Sequence, residues 1–216
     1  NIDYLLVGYQ GAGPFPQCFE LPDDERLIAE KSKKIQFLSQ GEKFIKLVNP
    51  KFYMPFAGTY NLAGNLSKLQ NKRGVPELDE AGRYFSNSSL INHELSKKVL
   101  LNTYESFDLA TQKQSKKYIP IDIVKRQAYI KNVLSKRKLD YELDDEPSID
   151  ELLKLIPAAY KRMNDKREEI NFLSSTCILL KLKEEFYVKL NFDRSKFELI
   201  DSKNGIESFV EYRLSL

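Results

Sequence analysis

The stretch Lys51-Phe52-Tyr53-Met54-Pro55-Phe56-Ala57-Gly58-Thr59-Tyr60 decides how this chain folds. Phe52 to Phe56 is an apolar and aromatic run of strand length, and Ala57-Gly58 then supplies a small-residue turn. A matching unit lies upstream. Tyr4-Leu5-Leu6-Val7-Gly8-Tyr9 reads as a second apolar strand, and it runs into the Gly/Pro loop Gln10-Gly11-Ala12-Gly13-Pro14-Phe15-Pro16-Gln17-Cys18. Between the two lies one long helix, from Asp23 to Val48. Pro22 and the acidic Asp23, Asp24 and Glu25 suit the positive end of a helix dipole, and Asn49-Pro50 stops the helix and launches the next strand. Ile28, Ile35, Leu38, Ile45 and Val48 recur at helical spacing as the expected buried stripe, with Gly41 beside them where the helix backbone would approach the sheet. Strand, helix and strand in this order make a β-α-β unit with both loops at one end. Ligands of layered α/β folds gather at the carboxyl ends of the strands, so these two loops are where a site is expected.

With 216 residues, 42% hydrophobic and 30% charged, the chain has room for one large or two small globular domains and is neither disordered nor fibrous. Eight of the nine glycines fall at or before Gly82, which marks the early part as the loop-rich, site-bearing one. We therefore expect a division into residues 1–90 and 91–216, the two units meeting across residues 86 to 147, with the acidic, turn-like Asp140 to Pro147 making the span from Lys136 to Pro147 the expected site of proteolytic cleavage. Short helices are predicted at Leu66 to Asn71 and Glu77 to Phe85, short strands at Lys97 to Leu101 and Ser106 to Ala110, and a helix at Asp122 to Lys136. Ser148-Ile149-Asp150-Glu151 is a capping box that opens a helix with Leu152, Leu153, Ile156, Ala159, Tyr160 and Met163 on one face, kinked or restarted at Pro157. After Asn171 the period becomes alternating. Phe186, Val188, Leu190 and Phe192 share one strand face, Tyr187, Lys189 and Asn191 the other. Runs at 177–182, 197–201 and 209–216 complete an expected antiparallel meander covered by two helices. The fold class is α/β passing into α+β.

The net charge of +3 is too mild to imply nucleic acid. The basic run Lys125, Arg126, Lys131, Lys136, Arg137, Lys138 has only Tyr129 as a stacking side chain and is followed by acidic Glu142, Asp144, Asp145, Glu146, Asp150 and Glu151. Cys18 and Cys177 lie far apart, and no apolar run approaches membrane-spanning length, so a reducing cytoplasm is the expected compartment, with no membrane and no nucleic acid as partner. Cys18 is expected as a packed thiol and His93, between Asn92 and Glu94, as a surface residue.

Residues 8 to 18 (GYQGAGPFPQC) and 53 to 60 (YMPFAGTY) resemble the later part of the metallo-β-lactamase-like region of CMP-N-acetylneuraminate hydroxylases and similar bacterial proteins. Pro55-Phe56-Ala57-Gly58 is the most specific element, and the resemblance covers residues 1 to 85. It implies that residues 1–90 are the C-terminal portion of a metallo-β-lactamase-like layer in a metal-dependent hydroxylase or hydrolase. The implied substrate is a nucleotide-linked or acidic sugar. On this likeness Gly11, Ala12 and Gly13 expose backbone donors at the pocket wall, Gln17 offers its amide to a substrate hydroxyl, and Ala57, Gly58 and Tyr60 form the opposite lip. The resemblance also implies zinc or iron in the full-length protein, whose histidine-rich loop lies N-terminal to the Gly-Ala-Gly segment. This chain itself departs from the pattern. A zinc site takes about four N, S or O ligands, whereas His93 is the only imidazole, and Phe56 and Ala57 stand where many superfamily members carry a metal-binding histidine. Asn1 is not an initiator methionine, and residues 209–216 stop without a turn, so the expectation is a C-terminal fragment, inactive alone and without cofactor. The alternative expectation is a binding or assembly module that has lost the metal site. Gly58 is expected in a left-handed or closely packed conformation.

Elemental analysis of the purified, dialysed chain is expected to find no near-stoichiometric zinc or iron, although loosely held Mg²⁺ or Ca²⁺ on scattered carboxylates is compatible. Zinc or iron that survives dialysis, with ligands mapped to this sequence, overturns that expectation.

Overall fold

Parallel strand pairing organises the first of two compact units, Asn1–Arg137. The computed structural model describes residues 2–58, 60–142, 145, 147–172, 174–183, 186–192, 196–200, 206 and 210–213, with backbone alone at 141, 183, 186, 196 and 210–213. Strand β1 (Tyr4–Gly8) pairs in parallel with β2 (Phe52–Phe56), in a register that runs from Tyr4 opposite Phe52 to Gly8 opposite Phe56. β3 (Lys97–Lys98) adds to β2, also in parallel, giving the order β1-β2-β3. Helix α1 (Asp23–Val48) is the crossover from β1 to β2, and α2 (Leu78–Ser86) lies between β2 and β3.

α1 runs where its acidic first turn and Asn49-Pro50 stop place it, and Asn49 closes it at φ 45° with its N–H on the Ile45 carbonyl, 2.8 Å away. Its buried residues are Leu38, Gly41 and Ile45. Ile28 and Ile35, expected in the same stripe, are 64% and 58% exposed. The reason is length: a 26-residue helix spans about 39 Å, whereas five-residue strands span about 17 Å, so the sheet covers only part of it. At Gly41 a Cβ would stand 2.8 Å from Phe85 Cζ and 3.4 Å from the Gly8 carbonyl oxygen, so the missing side chain lets α1 approach both the sheet and α2.

The core on this helical face comprises Val7, Tyr9, Leu38, Ile45, Tyr53, Ala81, Phe85 and Ile91. On the opposite face Phe107 from β4 (Phe107–Asp108), paired antiparallel with β5 (Lys113–Gln114), packs its ring on Tyr4 at 5.6 Å and Phe52 at 4.9 Å. Further along that face Leu6 is 49% and Phe56 50% exposed. Phe56 therefore lies outside the core, whereas Tyr53 lies within it.

Residues 91–137 cluster with the first unit rather than beginning the second. β3 completes the sheet, Phe107 covers part of it, and Arg126 of α3 (Ile123–Asn132) pairs with Glu77 at 2.6 Å. α3 ends at Asn132, short of the expected Lys136, and a 3₁₀ turn occupies Leu134–Lys136. Gly64–Lys72 is likewise a 3₁₀ helix.

The second unit, Lys138–Leu216, has its own core. α4 (Ile149–Glu169) opens on the Ser148/Glu151 capping box and continues through Pro157 as one helix. Its Ile156 packs with Ile178, Leu182, Val188, Leu190 and Phe192, and Tyr160 stacks on Phe192 at 5.0 Å. The sheet order is β8-β7-β6-β9, from β6 (Cys177–Lys183), β7 (Phe186–Asn191), β8 (Lys196–Ile200) and β9 (Val210–Arg213). β6, β7 and β8 form an antiparallel meander, but β9 pairs with β6 in parallel on the far edge, so the expected four-stranded meander is corrected. A parallel neighbour requires a crossing connection, which alternation of side chains does not reveal. Because α3 belongs to the first unit, the two-helix cover is corrected to α4 on this sheet, and Tyr187, expected on the polar face, is buried. The expected strand at 209–216 falls outside the described residues except at 210–213. Both units mix helices with sheet, and no helix among the described residues is long and apolar enough to cross a membrane.

Tyr53 carries a testable consequence. Its ring is fully buried, its hydroxyl has no hydrogen-bond partner, and burial pushes the phenol up to about 12 from 10.0. The folded state thus holds this proton more tightly, so its contribution is intact below pH 10 and is lost as pH rises to 12, by roughly 2–3 kcal/mol. Tyr53→Phe should shrink that alkaline loss and raise stability at neutral pH by about 1 kcal/mol, since it deletes an unsatisfied buried hydroxyl. Urea midpoints of both proteins at neutral and alkaline pH test this, and equal alkaline losses would clear Tyr53 of the effect.

Candidate functional site

Parallel pairing brings the exits of β1 and β2 side by side, with Gly8 opposite Phe56. The two exits touch. Gln10 Nε2 donates to the Gly58 carbonyl, and a Cβ on Gly58 would stand 3.2 Å from Tyr9 Oη. The missing side chain at Gly58 thus leaves room for the Tyr9 hydroxyl, but the left-handed residue of this turn is Ala57, at φ 57°. Holding an alanine there costs about 1 kcal/mol.

The first loop closes on itself. Gln17, only 6% exposed, donates its Nε2 to the Gly13 carbonyl, and the Cys18 N–H bonds the Pro14 carbonyl at 2.8 Å. Gly11 lies against the Phe37 ring, where a Cβ would be at 3.1 Å, and Ala12 is exposed at the rim. The Gln17 amide nitrogen therefore serves the loop rather than pointing out of it. Cys18 is exposed, which corrects the packed-thiol expectation; the closure buries its neighbours Pro16 and Gln17 instead.

The second lip is pinned from behind by Arg73, which is 7% exposed. Its Nη1 donates to the Tyr60 carbonyl, Nε to the Gln70 carbonyl at 2.8 Å, and Nη2 to Glu77 Oε1 at 3.4 Å. The guanidinium also lies 5.0 Å from the Tyr60 ring centroid. Burial lowers the Arg73 pKa, while the Glu77 carboxylate opposes that shift. Gln70 adds a second tie, accepting from Leu62 N–H at 2.7 Å and donating to Asn61 at 2.9 Å. Glu77 is also the N-cap of α2, where it forms a capping box with Glu80, and it holds Arg126 with its other oxygen.

Tyr118 carries a buried hydroxyl. Burial pushes its phenol upward, and the Asp79 carboxylate beside it and Tyr9 push the same way. Lys98, on β3, donates to the Gly82 carbonyl at 2.9 Å and Ser86 Oγ at 2.6 Å, and burial lowers its pKa.

Of the residues expected to shape a site, Gly58 is brought into contact with the first loop, next to left-handed Ala57; Gly11, Ala12 and Gly13 form the loop rim; Tyr60 is fixed by Arg73; and Gln17 is buried beneath. Sequence reasoning missed Tyr9, Gln10, Arg73, Glu77, Asp79 and Tyr118. Only the four-residue spacing of Arg73 and Glu77 gave a local signal; Tyr118 arrives from a distant segment. Among the described residues no group of three His, Cys, Asp or Glu side chains could hold a metal, and exposed His93 pairs its Nε2 with the Ser88 carbonyl at 2.9 Å. No family model, curated protein or solved structure matches this chain.

Replacing Arg73 with Met should destabilise the first unit by about 2–4 kcal/mol, since Glu77 would lose a buried partner and the Tyr60 and Gln70 carbonyls their donor. Arg126→Met, at a more exposed position, should cost about 1 kcal/mol. Equal urea midpoints for wild type and Arg73→Met would show that the second lip stands without its clamp.

Proposed function

We propose that this chain is the C-terminal part of a metallo-β-lactamase-superfamily metalloenzyme of the cytoplasm, acting on a nucleotide-linked or acidic sugar by hydroxylation or hydrolysis. The supporting observation is the junction of the two loops at the carboxyl ends of β1 and β2, made by Gln10 on the Gly58 carbonyl and by Tyr9 against Gly58. In this reading Gly11, Ala12 and Gly13 form one lip of the substrate pocket and Ala57, Gly58 and Tyr60 the other, with Gln17 holding the first lip in shape. Backbone N–H groups of a glycine-rich loop suit the anionic end of such a substrate. Zinc or iron would be held by residues other than those described, so no step of the reaction is assigned to these side chains; they bind and orient. Nucleic acid has no part in it.

A second reading, a non-catalytic assembly module, is favoured by a different observation. Parallel sheets are ordinarily covered on both faces, yet Leu6 and Phe56 remain half exposed beyond the reach of Phe107.

Titrating the ¹⁵N-labelled chain with CMP-N-acetylneuraminate should move the amide signals of Gly11, Ala12, Gly13 and Gly58 and saturate. A chain whose signals stay still at millimolar ligand, but which self-associates in sedimentation, would replace the first reading with the second.

A further inference from the structure

The segment that leads into and through α3 concentrates positive charge. Residues 113–137 hold eight lysines and arginines against a single acid, Asp122, a net +7 in a chain whose total is +3, so the rest of the molecule is net negative. Within it, Lys116-Lys117-Tyr118-Ile119-Pro120-Ile121-Asp122-Ile123-Val124-Lys125 sets four aliphatic side chains between lysines. Those side chains face outward: Ile119 is 69% and Val124 76% exposed, with Ile121 and Ile123 exposed as well. The backbone beneath them is anchored. Asn102 clasps Ile119 from both sides, its Oδ1 accepting from the Ile119 N–H and its Nδ2 donating to the Ile119 carbonyl, each at 2.8 Å. Asp122 caps the helix start, accepting from the Lys125 N–H at 3.0 Å. α3 is fixed to the first unit by Arg126 on Glu77 and by buried Ile130.

We propose that this loop and the first turn of α3 form a docking surface for an anionic lipid bilayer, the aliphatic side chains entering the headgroup region while Lys116, Lys117, Lys125 and Lys131 meet lipid phosphates. Lys131 follows Val124 by seven residues and so shares its face of α3. The occupant follows from charge complementarity together with the order of residue types. Apolar groups bounded by lysines suit a bilayer whose interface sets negative charge above hydrocarbon. A single-stranded nucleic acid takes a series of stacking rings, and the described residues of this segment expose one, Tyr129. The expectation of no membrane partner rested on the lack of a spanning run. A surface that lies on a bilayer needs none. The surface shares no residue with the two lips of the candidate sugar site, so it stands independently of that reading.

Co-sedimentation of the full chain with phosphatidylcholine vesicles, with and without phosphatidylglycerol, tests this. The chain is expected to pellet with the anionic vesicles, to stay in the supernatant with the neutral ones, and to be released by added salt. Replacing Lys116→Gln and Lys117→Gln together should weaken partitioning about thirtyfold, since each basic side chain at an anionic surface contributes about fivefold. Replacing Ile119→Asn and Val124→Asn together should weaken it about tenfold. Both pairs alter exposed side chains and should keep the wild-type melting temperature; if the second pair melts early, Val124→Asn alone, on the outer side of the helix, takes its place. A wild-type chain that stays in the supernatant with anionic vesicles overturns the proposal. So does a folded Val124 variant that pellets as wild type does. Binding to poly(U) that the lysine pair abolishes, with no binding to anionic vesicles, would make the surface a site for a soluble polyanion instead.

Discussion

The parallel pairing of Tyr4–Gly8 with Phe52–Phe56 is the constraint on which the first unit depends. Two parallel neighbours cannot be joined by a tight hairpin; the chain must cross back over the sheet, and α1 is that crossing. The geometry that follows is not optional. Both strands end on the same side, so the loops after Gly8 and Phe56 must meet, and α2, which carries the chain back from β2 to β3, has to begin on that side as well. Tyr9, Gln10, Gly58, Glu77 and Asp79 are collected by topology before any of them makes a contact. Packing then fixes the spacing. Gly41 admits the Phe85 ring between α1 and the sheet, and Tyr53 and Val7 seal the helical face beneath the junction.

Irregular backbone beside such a junction needs a support that secondary structure does not supply. Arg73 provides it, because a planar guanidinium can bond carbonyls from Tyr60 and Gln70 and a carboxylate in different directions. A buried cation is tolerable only when paired, and Glu77 supplies the pairing while remaining bound to Arg126 and to the first turn of α2. One carboxylate thereby ties the second lip, α2 and α3 together. Glu77 thereby engages one nitrogen of each guanidinium group. Tyr53 marks the contrast. Its hydroxyl is orphaned, and it sits on the interior face of β2 beside Phe85, where it is a packing compromise rather than an opening for a ligand.

The legible elements were those whose signals are local. α1 was bounded by an acidic first turn and Asn49-Pro50, α4 by the Ser148/Glu151 box, and β1 and β2 by apolar runs ending in small residues. The unit boundary was legible in part: the acidic, turn-like sequence from Asp140 marked a joint close to the Arg137/Lys138 division, whereas glycine density, which reports loops, put the end of the first unit too early, because that end follows contacts such as Phe107 on Phe52 and Arg126 on Glu77, made across long stretches of chain. Ile28 and Ile35 kept helical spacing but not burial, since period says which residues share a face and nothing about how far the sheet extends. β9 failed for a related reason: alternation is the same in parallel and antiparallel strands. At the candidate site the glycine-rich loops were visible, yet the side chains that furnish its polar atoms were not. Tyr9 read as the end of a strand, Gln10 as loop filler, and Tyr118 carried no pattern at all.

The turn at Phe56-Ala57-Gly58 bears on how far the proposed superfamily reading departs from a complete metal site. Ala57 is left-handed although glycine follows it, so the strain is carried by a residue with a Cβ, at a position whose φ is one that histidine, asparagine and aspartate adopt more readily than most. Under that reading the backbone of this turn would accommodate a ligating side chain; what the chain lacks is the side chain itself. Phe56, one residue earlier, points the other way, with half of its surface exposed on the outer face of the sheet beside Leu6. The two departures are therefore different in kind. Alanine at 57 removes a donor without disturbing the loop junction, whereas phenylalanine at 56 adds apolar surface on a face that Phe107 does not reach. The first is compatible with the proposed enzyme whose metal is held elsewhere, and the second is the observation behind the proposed assembly module. The two proposed readings do not compete for the same surface, because the junction lies at the exits of β1 and β2 whereas Leu6 and Phe56 lie on the outer face of the sheet.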